Sequence, residues 1–361
     1  MIEIVLNLQE IEKQYYIFKK ILYVKKLDKK VGLFYFAKNV KLSKIQLYIS
    51  LEDGEKVLKD TYFKKLSGVQ QNVYKQVLNG ICTRQGKIRV SQLPDNKLIE
   101  YLSMEHPELF YCDFNSVLIE QGVFGCFVKV KYTYTEAQCK QIVETAKRIA
   151  DLFRTLNEEE IARNIHNYLV KNISYDYADI NNIENHNIIG PLVKGKGVCE
   201  GIAKTMQYIL NLCGIDNTVI IGYLENEPHM WNVVSINGYN YHIDVTSDIS
   251  LTEQIWQKPG YFYYLISDKE IKKTHQFTES FNCVQVVDNP FYKANRLFYD
   301  DRQLVNFIRE IRSSQKLIYF KYFGDKSSDE ILELIKDNLH TFGLFSRIYM
   351  KENAGTFYVY R

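Results

Sequence analysis

Asn237-Gly238 separates two runs, Met230–Ile236 and Tyr239–Thr246, that are rich in β-branched and aromatic residues. Asn-Gly between apolar runs is the strongest short hairpin signal, because a two-residue type I′ turn needs positive φ at both central positions. A two-residue loop pairs Ile236 with Tyr239 and, counting outward, Trp231 with Asp244. Side chains alternate along a strand, so His229, Trp231, Val233 and Ser235 share a face with Asn240, His242, Asp244 and Thr246. His229 is then a diagonal neighbour of Asp244, roughly 7–8 Å away at the backbone and within side-chain reach. A three-residue loop would reverse this parity.

A cysteine stands upstream, at the end of Gly195-Lys-Gly-Val-Cys199. Ala203, Met206, Leu210 and Cys213 follow at helical spacing as far as Gly214, a helix-ending residue. Cys199 therefore falls in the first turn of a helix, where free N–H groups and the dipole favour a thiolate and can hold an oxyanion. A sulfur nucleophile, a histidine base and a carboxylate to orient it are the parts of a thiol catalyst. Position alone leaves Cys199 open to the plainer reading of a structural thiol. That reading suits Cys82, Cys112, Cys126, Cys139, Cys213 and Cys283. The hairpin pairing of His229 with Asp244 tips the balance.

Other histidines compete poorly. His242 shares the His229 face but sits opposite Val233, further from the open end of the hairpin. His166 and His186 precede the cysteine and read as structural. His106, His275 and His340 have no evident chemical partner nearby in sequence. Cys199, His229 and Asp244 are possible metal ligands by type, but they lack the short spacings of structural zinc sites.

Composition excludes several other classes. With 46 basic and 43 acidic residues the net charge is only +3, so nothing demands nucleic acid or an anionic membrane. Seven cysteines without CxxC spacing form neither a disulfide framework nor a zinc site, and suit a reducing compartment. No secretory signal and no run of about eighteen apolar residues is visible, so a cytoplasmic protein without a transmembrane helix is expected. A length of 361 residues implies two or three domains. With 28 Tyr and 20 Phe, the interior must supply partners for many hydroxyls.

Taken in order, strands are expected at Val31–Ala37 and Ile45–Leu51, with a turn over Glu52–Glu55; Ile11–Lys30 is ambiguous. Val69, Val73, Tyr74, Val77 and Leu78 read as a helix closing near Gly80. A strand around Ile88 and a helix over Asn96–Met104 follow, the latter ending at His106-Pro107. Val123–Tyr134 alternates as one half-buried strand. Helices start after Thr135 and after Asn157, each with its cap. Tyr261–Ile266 reads as an aromatic strand, and Ser267 to Glu270 has capping-box spacing. Beyond Asn289-Pro290 come a helix (Arg302–Ile311), a strand (Leu317–Tyr322), a helix capped by Ser328 and running to Leu339, and strands Leu344–Met350 and Thr356–Tyr360. These readings give domains at 1–134, 135–288 and 289–361.

Three motifs in order resemble the transglutaminase-like superfamily, relatives of papain-type cysteine proteases. They are Gly195-x-Gly-x-Cys199-Glu-Gly, His229-Met-Trp-Asn232 and His242-Ile-Asp244-Val-Thr246. Ser174-Tyr-Asp-Tyr and Tyr261-Phe-x-x-Leu-Ile-Ser-Asp-x-Glu270, ending near His275, are similar too, and His106-Pro-Glu-Leu-Phe-Tyr looks like the leader of bacterial members. The resemblance covers about 155–280. Ser247 replaces the usual aromatic residue after Thr246, a departure expected not to touch the triad. The resemblance implies an α+β fold with a transglutaminase-like (papain-like) core, its helix-borne cysteine packed on an antiparallel sheet. An N-terminal mixed α/β domain and a small C-terminal α/β domain would flank that core. It implies Cys199 as nucleophile, His229 as general acid/base and Asp244 as orienting acid, with Trp231 and Asn232 beside them. The reaction implied is acyl transfer from a protein or peptide amide through a thioester, with hydrolysis first. A protein-glutamine transamidase or deamidase and a non-catalytic binding module are the alternatives. No metal or organic cofactor is required. Substrate identity and oligomeric state are not readable from the chain.

Overall fold

The structure, a computed structural model, describes residues 58–252, 260–311, 317–340 and 349–360. All lie within one compact unit, Ser50–Arg361. The strands expected at Val31 and Ile45, the turn at Glu52–Glu55 and the ambiguous Ile11–Lys30 fall outside the described residues.

The described chain begins with α1 (Gly68–Cys82), capped by Ser67, β1 (Lys87–Val90) and α2 (Asn96–Glu105), capped by Asp95. β2 (Leu118–Gly122) and β3 (Gly125–Lys129) complete an antiparallel sheet in the order β1-β3-β2. α1 ends at Cys82, close to the Gly80 near which it is expected to close. A Cβ at Gly80 would stand 2.5 Å from the Ile88 side chain, so this glycine lets α1 lie close against β1. The single strand expected over Val123–Tyr134 is instead the second arm of a hairpin. Val123 and Phe124 form its tip, 97% and 83% exposed. Two apolar residues at the turn hid it from a reading based on alternation.

The central part opens with two capped helices. Thr135 and Gln138 make a capping box at α3 (Glu136–Asp151). Asn157 caps α4 (Glu158–Asn172), whose first turn carries three acids at the positive end of the dipole. β4 (Ser174–Tyr175) pairs in parallel with β5 (Lys196–Gly197), and α5 (Cys199–Leu212) follows, ending at Gly214 with φ +83°. β6 (Asn217–Leu224), β7 (Glu227–Ile236) and β8 (Tyr239–Ile243) lead into α6 (Val245–Thr252). β9 (Tyr264–Ile266) is shorter than the six-residue strand expected there, although the whole aromatic run is buried or nearly so. Ser267 and Glu270 form the expected capping box at α7 (Asp268–Ile271), and β10 (His275–Gln276) returns to the sheet edge. The five-stranded sheet is antiparallel, in the order β10-β6-β7-β8-β9.

The β7–β8 register is that of a two-residue turn. Ile236 pairs with Tyr239, Val233 with His242 and Asn232 with Ile243. Asn237 and Gly238 have φ of +52° and +79°, as a type I′ turn requires. Val234, Ile236, Tyr241 and Ile243 pack with Ile202, Met206 and Ile209 of α5 and with Ile161 and Ile165 of α4. Trp231 and Val233, at alternate positions of β7, pack with Phe262, Phe291 and Tyr358 in a separate core.

The C-terminal part contains α8 (Pro290–Lys293), β11 (Leu297–Phe298), α9 (Asp301–Arg309), β12 (Leu317–Tyr322), α10 (Ser328–His340), β13 (Tyr349–Asn353) and β14 (Thr356–Tyr360). Its sheet runs β11-β12-β14-β13, with β11 parallel to β12 and the other pairs antiparallel. Two details differ from expectation. Ser327, not Ser328, caps α10: its hydroxyl accepts from the Glu330 N–H at 3.3 Å, and its own N–H donates to Glu330 at 2.8 Å. β13 runs through Asn353, three residues past the expected end. No described helix is long and apolar enough to cross a membrane.

The register of β7 against β8 depends on a backbone that only glycine adopts freely at 238. Gly238→Val is expected to lower the unfolding free energy by about 1–2 kcal/mol in urea titration. An unchanged midpoint would show that the turn does not hold the register.

Candidate active site

Cys199 is held by the chain before it. The β4–β5 pair fixes Gly197, and the Val198 N–H donates to the Asn185 carbonyl at 3.1 Å. Asn185 is itself buried, its amide donating to Asp176 Oδ2 at 3.1 Å and to the Asp179 carbonyl at 2.8 Å. A Cβ at Gly201 would lie 2.2 Å from the Asn185 carbonyl oxygen. The glycine of Cys199-Glu-Gly is therefore what lets this loop reach the start of α5. Val198 precedes the helix and offers no side-chain cap, so no capping side chain occupies the N–H groups of the first turn. Cys199 is half-buried.

The hairpin brings His229 and Asp244 together as its parity requires. His229 Nε2 lies 2.9 Å from Asp244 Oδ2. The Cys199 thiol is close enough to the His229 ring to help raise its pKa, and with Nε2 turned to Asp244 the nitrogen left for the sulfur is Nδ1. Burial by itself would lower the His229 pKa, but the Asp244 charge and hydrogen bond, with a smaller part from Cys199, raise it to about 10. Asp244 is fully buried, which alone would push its pKa up; the His229 charge and the His229 and His275 hydrogen bonds hold it below the usual carboxylate range.

Two further groups on Asp244 correct the sequence reading. Ser247 does touch the acid: its N–H donates to Oδ1 at 3.1 Å and its hydroxyl donates to Oδ2. His275, 31 residues away in sequence, places Nε2 3.1 Å from the same Oδ2. His106 also has a partner, Glu108, at 2.7 Å from its Nδ1. The His275 contact is long-range and no local pattern announces it. The Ser247 contact was available in principle, since an Asp three residues before a Ser at a helix start is a capping arrangement.

His242 is engaged elsewhere. The Trp231 indole N–H donates to His242 Nδ1 at 3.1 Å, so the proton of the neutral ring is on Nε2 and donates to Asp268 at 2.7 Å. Burial lowers the His242 pKa, in keeping with this neutral form. The Trp231 ring in turn stacks beside His229, with centroids 6.0 Å apart and planes at 20°. Asn232 on β7 donates to the Ala203 carbonyl of α5 at 3.0 Å and ties that strand to that helix. His166 is buried against Asp248 at 2.8 Å.

The outer side of Cys199 carries charge. His186 Nδ1 lies 2.8 Å from Glu200 Oε2, and its Nε2 lies 2.7 Å from the Ile180 carbonyl. Both partners only accept, so both ring nitrogens carry protons and the ring is a cation. The Glu200 hydrogen bond, against burial, raises its pKa, and Cys199 is close enough to add to the effect. Lys204 Nζ holds the other Glu200 oxygen at 2.6 Å. Burial, helped by Cys199, pushes the Tyr175 hydroxyl up to about 12, and Tyr177 packs on it with ring centroids 4.6 Å apart.

Among the described residues, two groups of potential metal donors each hold their ligand atoms within 4.8 Å: His229, Asp244 and His275 form one, and His242, Asp268 and Cys283 the other. Hydrogen bonds join the members of each group already. In the second, the Trp231 N–H occupies one His242 nitrogen and leaves the proton on the other, which is the nitrogen a metal would need.

Residues 144–245 match the family model described as the transglutaminase-like superfamily, a span that includes Cys199, His229 and Asp244. The chain therefore contains a transglutaminase-like domain in a mixed α/β protein. No curated protein matches it in sequence. Among solved structures, a TGase is similar at 15% identity, over 43% of this chain and 48% of that one, with a TM-score of 0.29. A candidate cysteine protease from Cytophaga hutchinsonii is similar at 13% identity over 36% and 61%, with a TM-score of 0.25. A candidate protease from Parabacteroides distasonis is similar at 14% identity over 35% and 35%, with a TM-score of 0.24. The chain spans less than two thirds of each, and likenesses this slight carry no weight for its function.

The raised His229 pKa has a consequence for stability. A histidine held above its unfolded value of 6.5 contributes fully below that pH and loses its contribution as pH rises towards about 10. The difference in unfolding free energy between the wild type and His229→Gln is expected to narrow steadily from pH 6.5 to 10 in urea titrations. A difference independent of pH would mean that Asp244 does not hold a protonated ring.

Proposed function

We propose that the chain is a cysteine-dependent amide hydrolase, peptidase-like, acting on protein or peptide substrates through Cys199, His229 and Asp244. One observation carries the reading: a single imidazole has a buried carboxylate on Nε2 and a half-buried helix-start thiol close enough to help raise its pKa. With its pKa raised to about 10, His229 is protonated at neutral pH and faces the sulfur as a cation. That pairing is what makes a cysteine a nucleophile.

The thiolate of Cys199 attacks the amide carbonyl carbon, and the C=O electron pair moves to oxygen. The uncapped N–H groups at the start of α5 receive that oxyanion. Collapse breaks the C–N bond while His229 gives its proton to the departing nitrogen, leaving a thioester. Water then attacks with His229 as base, the C–S bond breaks, and the acid leaves as the thiolate reforms. Asp244 keeps the ring in one tautomer throughout. An amine in place of water would give transamidation from the same thioester. The parts of the chain at 1–134 and 289–361, flanking the region 135–288, we assign to recognition of a protein partner or substrate.

Two measurements test this. Iodoacetamide at pH 7 is expected to modify Cys199 at least about tenfold faster than Cys213, whose thiol burial pushes up to about 11. Asp244→Asn should bring Cys199 down to the rate of an ordinary free thiol. Equal rates at Cys199 and Cys213 in the wild type would sink the proposal. Incubation with casein and a dansylated amine then separates the outcomes: new carboxyl groups without dansyl mean hydrolysis, and incorporated dansyl means amine transfer, the first leaving group being released in either case.

A further inference from the structure

Asp244 carries more donors than one histidine needs. Its Oδ1 accepts the Ser247 N–H at 3.1 Å, and its Oδ2 accepts from His229 at 2.9 Å, from the Ser247 hydroxyl and from His275 at 3.1 Å. His275 is 1% exposed and has no route to a substrate. It sits on β10, whose pairing with β6 sets its backbone. The edge of its ring meets Trp231 with centroids 4.9 Å apart, and that of Tyr263 at 5.2 Å. Its Nδ1 lies 2.9 Å from the Thr274 hydroxyl. Because a carboxylate oxygen only accepts, His275 Nε2 carries a proton and donates it to Asp244, while Nδ1 is held by the Thr274 hydroxyl. The ring is thus fixed in place, and its Nε2–H is aimed at the oxygen that His229 uses.

We propose that His275 is a positioning residue for the Cys199–His229–Asp244 site: it locks the Asp244 carboxylate and keeps it ionised when His229 gives up its proton. The inference rests on the proposed role of that site. During turnover His229 alternates between charged and neutral. In the neutral stage Asp244 loses the His229 charge while staying fully buried, a state that is costly for a bare carboxylate. Donors other than His229 cover this stage, and among the described residues His275 and Ser247 are the two that reach Oδ2. The other ionisable groups around the carboxylate are Tyr263, and Asp248 one turn further along α6, whose charge opposes a second anion nearby.

The test uses the full chain and iodoacetamide as probe, with the rate at Cys199 followed by mass spectrometry against pH. A loosened or protonated Asp244 supports His229 as a cation less well, so the thiolate forms at higher pH. His275→Leu is expected to move the acid limb of the alkylation profile up by about one pH unit, and so to slow the reaction about tenfold at pH 6. His275→Gln, which can place an amide N–H near Oδ2, should restore the wild-type profile to within about threefold. Thermal unfolding of both variants separates this from simple loss of packing. A His275→Leu profile that coincides with the wild type overturns the proposal and leaves the function reading intact. So does a loss shared equally by Leu and Gln in step with their melting temperatures. A wild-type Cys199 no faster than Cys213 overturns both.

Discussion

A carboxylate at zero exposure is the constraint on which this part of the molecule turns. Asp244 is shut off from bulk solvent, and protein donors hold its charge. They come from three elements: β7 through His229, β10 through His275 and the first turn of α6 through Ser247. Removing one partner of a buried charge costs about 3–5 kcal/mol, more than most surface ion pairs contribute. The carboxylate therefore fastens the edge strand β10, the central strand β7 and the helix after β8 to one point. The same arrangement leaves the other His229 nitrogen, Nδ1, off the carboxylate, with the thiol at the start of α5 close to the ring.

A second polar chain lies alongside and runs in one direction. Trp231 donates to His242, and His242 donates to Asp268. Each proton in it is fixed by a partner that can act in only one sense. Its effect on the site passes through the Trp231 ring, which is held at its N–H and lies beside both His229 and His275. Gly222, paired with His229 across β6–β7, gives the indole its room: a Cβ there would stand 2.7 Å from the Trp231 ring. His242 looks from the hairpin face like a rival base. Its two nitrogens are both taken, and its role is to hold the indole.

What was legible in the sequence follows the range of the forces involved. The β7–β8 register could be read because Asn237-Gly238 leaves one turn type, and period two then carries His229 to the side of Asp244. The starts of α3, α4 and α7 could be read because caps are local. The β2–β3 turn could not, since Val123-Phe124 carries no turn chemistry. Gly80 and Gly201 are set by what packs against them, Ile88 in one case and the Asn185 carbonyl in the other, and no neighbour in sequence reveals this. His275 lay beyond reach for the same reason: its partner is 31 residues away and the strand that delivers it has two residues.

Ser247 shows how folding and chemistry share one group. Asp244 directly precedes α6, and its Oδ1 accepts the Ser247 N–H, the bond of a helix N-cap. Its other oxygen orients His229. One turn along, Asp248 accepts the Tyr263 N–H at 3.0 Å and His166 at 2.8 Å, pinning α6 to the chain before β9 and to α4. The Asp244 rotamer that caps the helix is thus the one that presents Oδ2 to the two histidines, and α6 cannot fray at its start without freeing the carboxylate. A bulkier side chain at 247 could keep the N–H bond but not the hydroxyl on Oδ2. The small hydroxyl residue at 247 therefore adds a donor at the point where a buried charge most needs one.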